Sequence, residues 1–256
     1  MERKSIRTST IAAASLFFST FAADAALVVN PAKPITGLVT VQPIVVSNTD
    51  GSNTAEYFGT ATQRGDISDL IDIIWAQAGI DIEFLAPNSW NSTFANEGNA
   101  LPRPSSDLGT IVSNGTAANV TNSNPEVLNM FLVNSVPAFD ALGDNQAAGI
   151  AFVDGDGIAQ FVGSNLLGFV GGLEVIAGVV AHEIGHNLGL NHTNAAQNLM
   201  GNGGELLNAA QIANVLNSPF VTAPAAVPLP AAGWMLLSGL FGLALRRRRQ
   251  ESSPLV

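Results

Sequence analysis

All three histidines of this chain fall within eleven residues, His182-Glu183-Ile184-Gly185-His186-Asn187-Leu188-Gly189-Leu190-Asn191-His192. His182 and His186 are four apart, so on a helix both rings leave the same face one turn apart. Two imidazole nitrogens placed this way reach a single zinc ion at about 2.0–2.1 Å. The preceding run, Leu173 to Ala181, is almost wholly apolar, which predicts a buried helix over 171–188 whose polar side chains need partners. A straight continuation would carry His192 to the far side. Gly189 removes that obstacle, because a residue without Cβ takes positive φ, ends the helix and folds the chain back. Three neutral nitrogens leave one tetrahedral position for water, and Glu183, beside His182, is placed to act on that water as a base.

Elsewhere the pattern reads as alternating strands and helices. Leu38 to Val46 is apolar and β-branched, a strand that Pro43 assigns to an edge or a bulge. Ile67, Leu70, Ile71, Ile74, Trp75 and Ala78 keep helical spacing over 66–78, with Asp66 or Ser68 as cap and Gly79 as the stop. Ile80 to Leu85 alternates as a half-buried strand. The stretch 86–126 is rich in Asn, Ser, Pro and Gly and is expected to hold one short helix, near 107–112. Val127 to Val133 is a strand. Gly149 to Val153 and Ile158 to Val162 flank Asp154-Gly155-Asp156-Gly157, a hairpin signal. Asp154 and Asp156 leave a Ca2+ ion as the alternative, set behind the turn because the twelve-residue EF-hand pattern is absent. Leu206 to Leu216 is a last amphipathic helix.

The two ends read differently from the middle. Residues 1–25 combine a basic start (Arg3, Lys4, Arg7), an apolar run and Ala23-Asp24-Ala25, the layout of a secretory signal peptide. Val227 to Leu245 is long enough to just span a membrane and is followed by four arginines, Arg246 to Arg249. Between these ends, residues 26–226 form one domain with a sizeable core. That domain carries three basic residues (Lys33, Arg64, Arg103) against seventeen acidic ones, a net −14 with histidine neutral. Nucleic acid is excluded as a partner, since its binding needs clustered Lys and Arg. No cysteine is present, so stability rests on the core and any bound metal.

The eleven-residue pattern H-E-x-x-H-x-x-G-x-x-H resembles the signature of the metzincin metallopeptidases, and the helix, glycine, strand order over 66–85 is similar to the start of their catalytic domains. The resemblance spans about residues 38–220. It implies an α+β, metzincin-like (zincin) domain, with a twisted mixed β-sheet, an active-site helix and a C-terminal helix. It also implies an endopeptidase with one catalytic zinc on His182, His186 and His192, Glu183 as base and Gly189 as the return turn. Met200, in Asn198-Leu199-Met200-Gly201, matches the methionine-bearing turn beneath the metal. A protein or peptide substrate would add to the strand 149–153. One departure stands out: some relatives place a tyrosine after this methionine, and here the only tyrosine is Tyr57. The order Val227-Pro228-Leu229-Pro230-Ala231, apolar stretch and arginines resembles the PEP-CTERM sorting tails. That likeness implies signal peptidase and an exosortase-like enzyme as processing partners, passage through the inner membrane and a bacterial cell-surface or secreted address; the alternative is a permanent single-span anchor over 227–245. The alternative to an enzyme is a non-catalytic zinc-fold protein of the surface or matrix, against which the intact Glu183 counts. Hydrolysis of a surrounding polysaccharide is a weaker third reading, with no paired carboxylates to support it.

Overall fold

The computed structural model describes residues 27–97, 104–134, 149–161, 171–201 and 203–224. The chain divides into two units, Met1–Ala223 and Pro224–Val256, and the elements below belong to the first. The signal peptide at 1–25 and the tail at 227–256 lie outside the described residues. Among the described residues no helix is long and apolar enough to cross a membrane.

Six strands make one mixed sheet: β1 (Gly37–Ser47), β2 (Ile80–Phe84), β3 (Asn88–Asn91), β4 (Val127–Val133), β5 (Gly149–Ala151) and β6 (Ile158–Phe161). Its order is β2-β1-β4-β6-β5, with β3 also pairing β1. All pairings are parallel except that of β5 with β6. The helices are α1 (Ala61–Ala76), α2 (Thr93–Glu97), α3 (Pro104–Ala117), α4 (Gly172–Asn187) and α5 (Ala209–Val215).

Strand alternation sorts the core onto the two faces of the sheet. Val39, Val41, Leu128, Met130, Leu132 and Ile158 join Ile67, Ile71, Ile74 and Trp75 of α1 and Ile176, Ala177, Val180 and Ile184 of α4. Ile44, Val46, Phe131, Val133 and Ala159 join Ala95 of α2 and Leu108 and Ile111 of α3. β4 is buried at every position, as a strand covered on both faces must be. Each fully buried Ile, Leu or Phe contributes about 1.5–3 kcal/mol, so the two helix layers hold the sheet chiefly through this apolar contact.

Four expectations need correction. β1 is a central strand, flanked by β2 and β3 on one side and β4 on the other, although it contains Pro43. On the first side Val41 O accepts from Leu85 N and Ser47 O from Ser92 N. The odd-numbered residues of β1 therefore face that side, and Pro43 N meets the break between β2 and β3, where no ladder bond is due. The Gln42 side chain bridges the gap, its Nε2 donating to Pro43 O at 3.0 Å and Ala86 O at 2.8 Å. α1 begins well before Asp66. Thr60 caps it in a reciprocal pair with Gln63, the capping box that satisfies two orphan amides, while Gly79 at φ +75° does end the segment. The stretch 86–126 holds β3, α2 and a fourteen-residue α3 in place of one short helix. The last helix is shorter than 206–216 because Asn208 caps it, again in a box, with Gln211.

Asp72 on α1 joins helix to sheet by accepting from Ile82 N at 3.0 Å. Burial, with Asp81 and Asp69 adding to it, pushes its carboxyl up to about 6. A carboxyl with a folded-state pKa above its unfolded value favours the folded state while protonated, and that advantage is lost as pH rises from about 4 through 6. Asp72→Asn keeps an acceptor for Ile82 N and carries no charge. Its Tm is expected to exceed that of the wild type by a few degrees (roughly 2–4 °C) at pH 7, with the gap closing below about pH 4 in thermal melts.

Candidate metal centre

α4 carries both His182 and His186 and stops where the spacing requires. Gly189 takes φ +91°, Gly189 N donates to His186 O at 2.9 Å and Leu190 N to Gly185 O at 2.9 Å. This paired 5→2 and 6→1 closure is the Schellman cap. Asn214 Nδ2 holds the turn from outside by donating to Gly189 O at 3.0 Å. The returning chain brings His192 Nε2 to 3.1 Å from His182 Nε2 and 3.1 Å from His186 Nε2. The three imidazoles form the one group of potential metal ligands among the described residues.

Backbone carbonyls fix which nitrogen of two rings is free. His182 Nδ1 donates to Leu199 O at 2.6 Å and His186 Nδ1 to Leu190 O at 2.8 Å. With the proton on Nδ1, each Nε2 presents a lone pair to the shared space. Burial holds all three imidazoles below their ordinary pKa, with His186 at about 4 because its neighbours His182 and His192 add to the burial. Three neutral nitrogens facing one another repel unless a cation lies between them. A tetrahedral ion with bonds of about 2.0–2.1 Å sets its ligand nitrogens about 3.3 Å apart, close to the contacts seen. The donor set therefore fits zinc.

Glu183 follows His182 on α4 and is 6% exposed. Burial raises its carboxyl to about 8. Met200 is completely buried, and its Sδ lies 2.7 Å from where a Cβ on Gly185 would stand. Gly185 is thus the residue that lets the Met200 turn approach α4 between His182 and His186. That turn is held by its own amides: Met200 N donates to Asn198 Oδ1 at 3.0 Å and Gly201 N to Asn198 O at 2.9 Å. Asn198 and Gln211 exchange reciprocal side-chain bonds of 2.8 and 2.9 Å, which tie the turn, and with it the Leu199 carbonyl, to α5.

All six residues singled out from the sequence (His182, Glu183, His186, Gly189, His192 and Met200) fall in this one region. Sequence reasoning missed Gly149, Gly185, Asn187, Asn198 and Gln211. The Asn187 amide donates to Phe152 O, Gly155 O and Gly157 O and so fastens the β5–β6 hairpin to the end of α4. A glycine inside a helix costs about 1 kcal/mol against alanine, and Gly185 could have been suspected on that ground. The hairpin itself forms as expected. Both Asp156 oxygens accept from Asn129, from N at 2.6 Å and Nδ2 at 2.7 Å, which ties the turn to β4. Tyr57 packs on Phe58 and Arg64.

One family model overlaps this centre. Residues 96–193 match the description "Metallo-peptidase family M12B Reprolysin-like", a stretch that includes the whole motif. Among solved structures, metalloproteinase-II from Bacteroides fragilis aligns at 15% identity and TM-score 0.43, over 74% of this chain and 58% of its own. Archaemetzincin from Methanopyrus kandleri aligns at 16% identity and TM-score 0.40, over 71% and 87%. Among curated proteins none matches. Residues 96–193 thus resemble that metallopeptidase family, within an α+β fold in which three histidines converge.

Removing the Asn198–Gln211 pair should loosen the Leu199 carbonyl that orients His182. Asn198→Ala is expected to weaken zinc binding about 10–100-fold, read by competition with a chromogenic chelator. Unchanged affinity would show that the pair does not orient the ring.

Proposed function

We propose that the chain is an exported, zinc-dependent endopeptidase in which His182, His186 and His192 hold the ion and Glu183 is the catalytic base. The observation that carries this reading is the convergence of three Nε2 atoms, with a buried carboxyl on the residue that follows the first of these histidines. When bound, the ion supplies a Lewis acid that brings the pKa of water to about 7 and polarises a carbonyl oxygen. The burial that raises the Glu183 carboxyl to about 8 would be opposed by a cation in the centre, which favours the ionised form. As carboxylate, Glu183 would take the proton from the attacking water and give it to the leaving amide nitrogen, first base and then acid. Met200 and Gly185 fix the floor beneath the histidines, and Gly189 fixes the approach of the third. No tyrosine follows Met200 in the sequence, so charge on the attacked oxygen would be left to backbone amides and to the ion, when bound. An extended substrate would pair with β5, which ends the sheet order, by strand addition.

Export belongs to the same proposal. Residues 1–25 would be removed by signal peptidase, 26–226 would be the catalytic domain, and 227–256 would pass through the inner membrane until cut by an exosortase-like enzyme. The domain would then stay at the cell surface or be released. Intact-mass measurement of the mature protein from hosts with and without the sorting enzyme checks this, and an identical, full-length C-terminus in both would remove the sorting step.

Casein zymography with and without a chelator tests the chemistry. Clearing is expected only with metal, and zinc should restore it. Glu183→Gln is expected to keep zinc while turnover falls about 10²–10⁴-fold, and His186→Ala to lose both. Equal cleavage by wild type and Glu183→Gln would discard the mechanism. A metal-replete chain that cleaves no peptide would favour the surface or matrix alternative.

A further inference from the structure

The Glu183 side chain rests against a residue that no motif marks. Gly149 opens β5 and pairs with Gln160 of β6. A Cβ built there would lie 2.7 Å from Glu183 Cγ, 2.9 Å from Oε1 and 3.0 Å from Cδ. These are its three nearest neighbours, all on one side chain; the first two are closer than real Cβ contacts come, and the third is tighter than nearly all of them. The bare Cα of the sheet's last strand is therefore the wall that the carboxylate lies on, and any other residue would have to push the carboxylate away.

We propose that Gly149 is a positioning residue for Glu183: its missing side chain sets where the carboxylate stands relative to the three histidines. The proposal rests on the catalytic reading of Glu183 given above. It follows that the strand proposed to border the substrate also fixes the base, so that carboxylate and bound peptide share one rigid reference. A Cβ at 149 meets Glu183 first, since its three nearest atoms all belong to that side chain.

Four full-length chains test this: wild type, Gly149→Ala, Glu183→Ala and the double substitution. Zinc content, measured by mass spectrometry, is expected to be equal in all four. Gly149→Ala should lower kcat about 10–100-fold, the cost of displacing a reacting group by about 1 Å, and leave KM within about twofold. The second readout needs no activity. Gly149→Ala should lower Tm when Glu183 is present and barely change it in the Glu183→Ala chain, where the clashing atoms are gone. Wild-type kcat in Gly149→Ala, or an equal Tm loss with and without the Glu183 side chain, would overturn the proposal. If wild type itself cleaves nothing, the catalytic reading fails, while the Tm cycle still decides whether Gly149 holds this side chain.

Discussion

The end of α4 is set by one left-handed residue, and most of the centre follows from it. At φ +91° Gly189 turns the chain so that Leu190 N reaches back to Gly185 O and Leu190 O accepts from His186 Nδ1. One turn therefore closes the helix, orients the second histidine and delivers the third. A residue with a Cβ would be strained there by its backbone, although the added Cβ would meet only ordinary contacts, Asn214 Nδ2 at 3.4 Å and Asp154 Oδ1 at 3.8 Å. The hairpin and α5 both press on this point, through Asp154 N on His186 O and Asn214 on Gly189 O.

The sheet acts on the centre from the other side. β4, apolar on both faces, anchors β6, and β6 carries β5 to the margin beside α4. Asn187 then binds three carbonyls of the connecting turn. Strand and helix are thus joined by a side chain next to a metal-ligand candidate, which explains how a three-residue strand keeps a defined place.

What was readable in the residue order was whatever repeats at short range. The histidine spacing, the glycine that ends the helix, the 67–78 apolar face and the alternation of β2 are all local, and each element stands where its period puts it. The centrality of β1 was hidden because Pro43 argues for an edge, and only the division of the neighbouring strand into β2 and β3 makes it harmless. Thr60 with Gln63 lay upstream of the apolar period that was used to start α1. Asn198 with Gln211, and Gly149 with Glu183, join residues far apart along the chain, so nothing nearby in the sequence marks them as pairs.

The supports around the three rings are all uncharged. Two peptide carbonyls hold His182 and His186, an asparagine–glutamine pair braces the turn that supplies one of those carbonyls, and a third amide, Asn187, locks the hairpin. Ionic screening weakens attraction between exposed charges but has no charge to act on in such bonds, and with no thiol in the chain oxidants find no cysteine to modify. The scaffold of the centre should thus be as well ordered in brine as in fresh water, whatever the strongly acidic surface around it does.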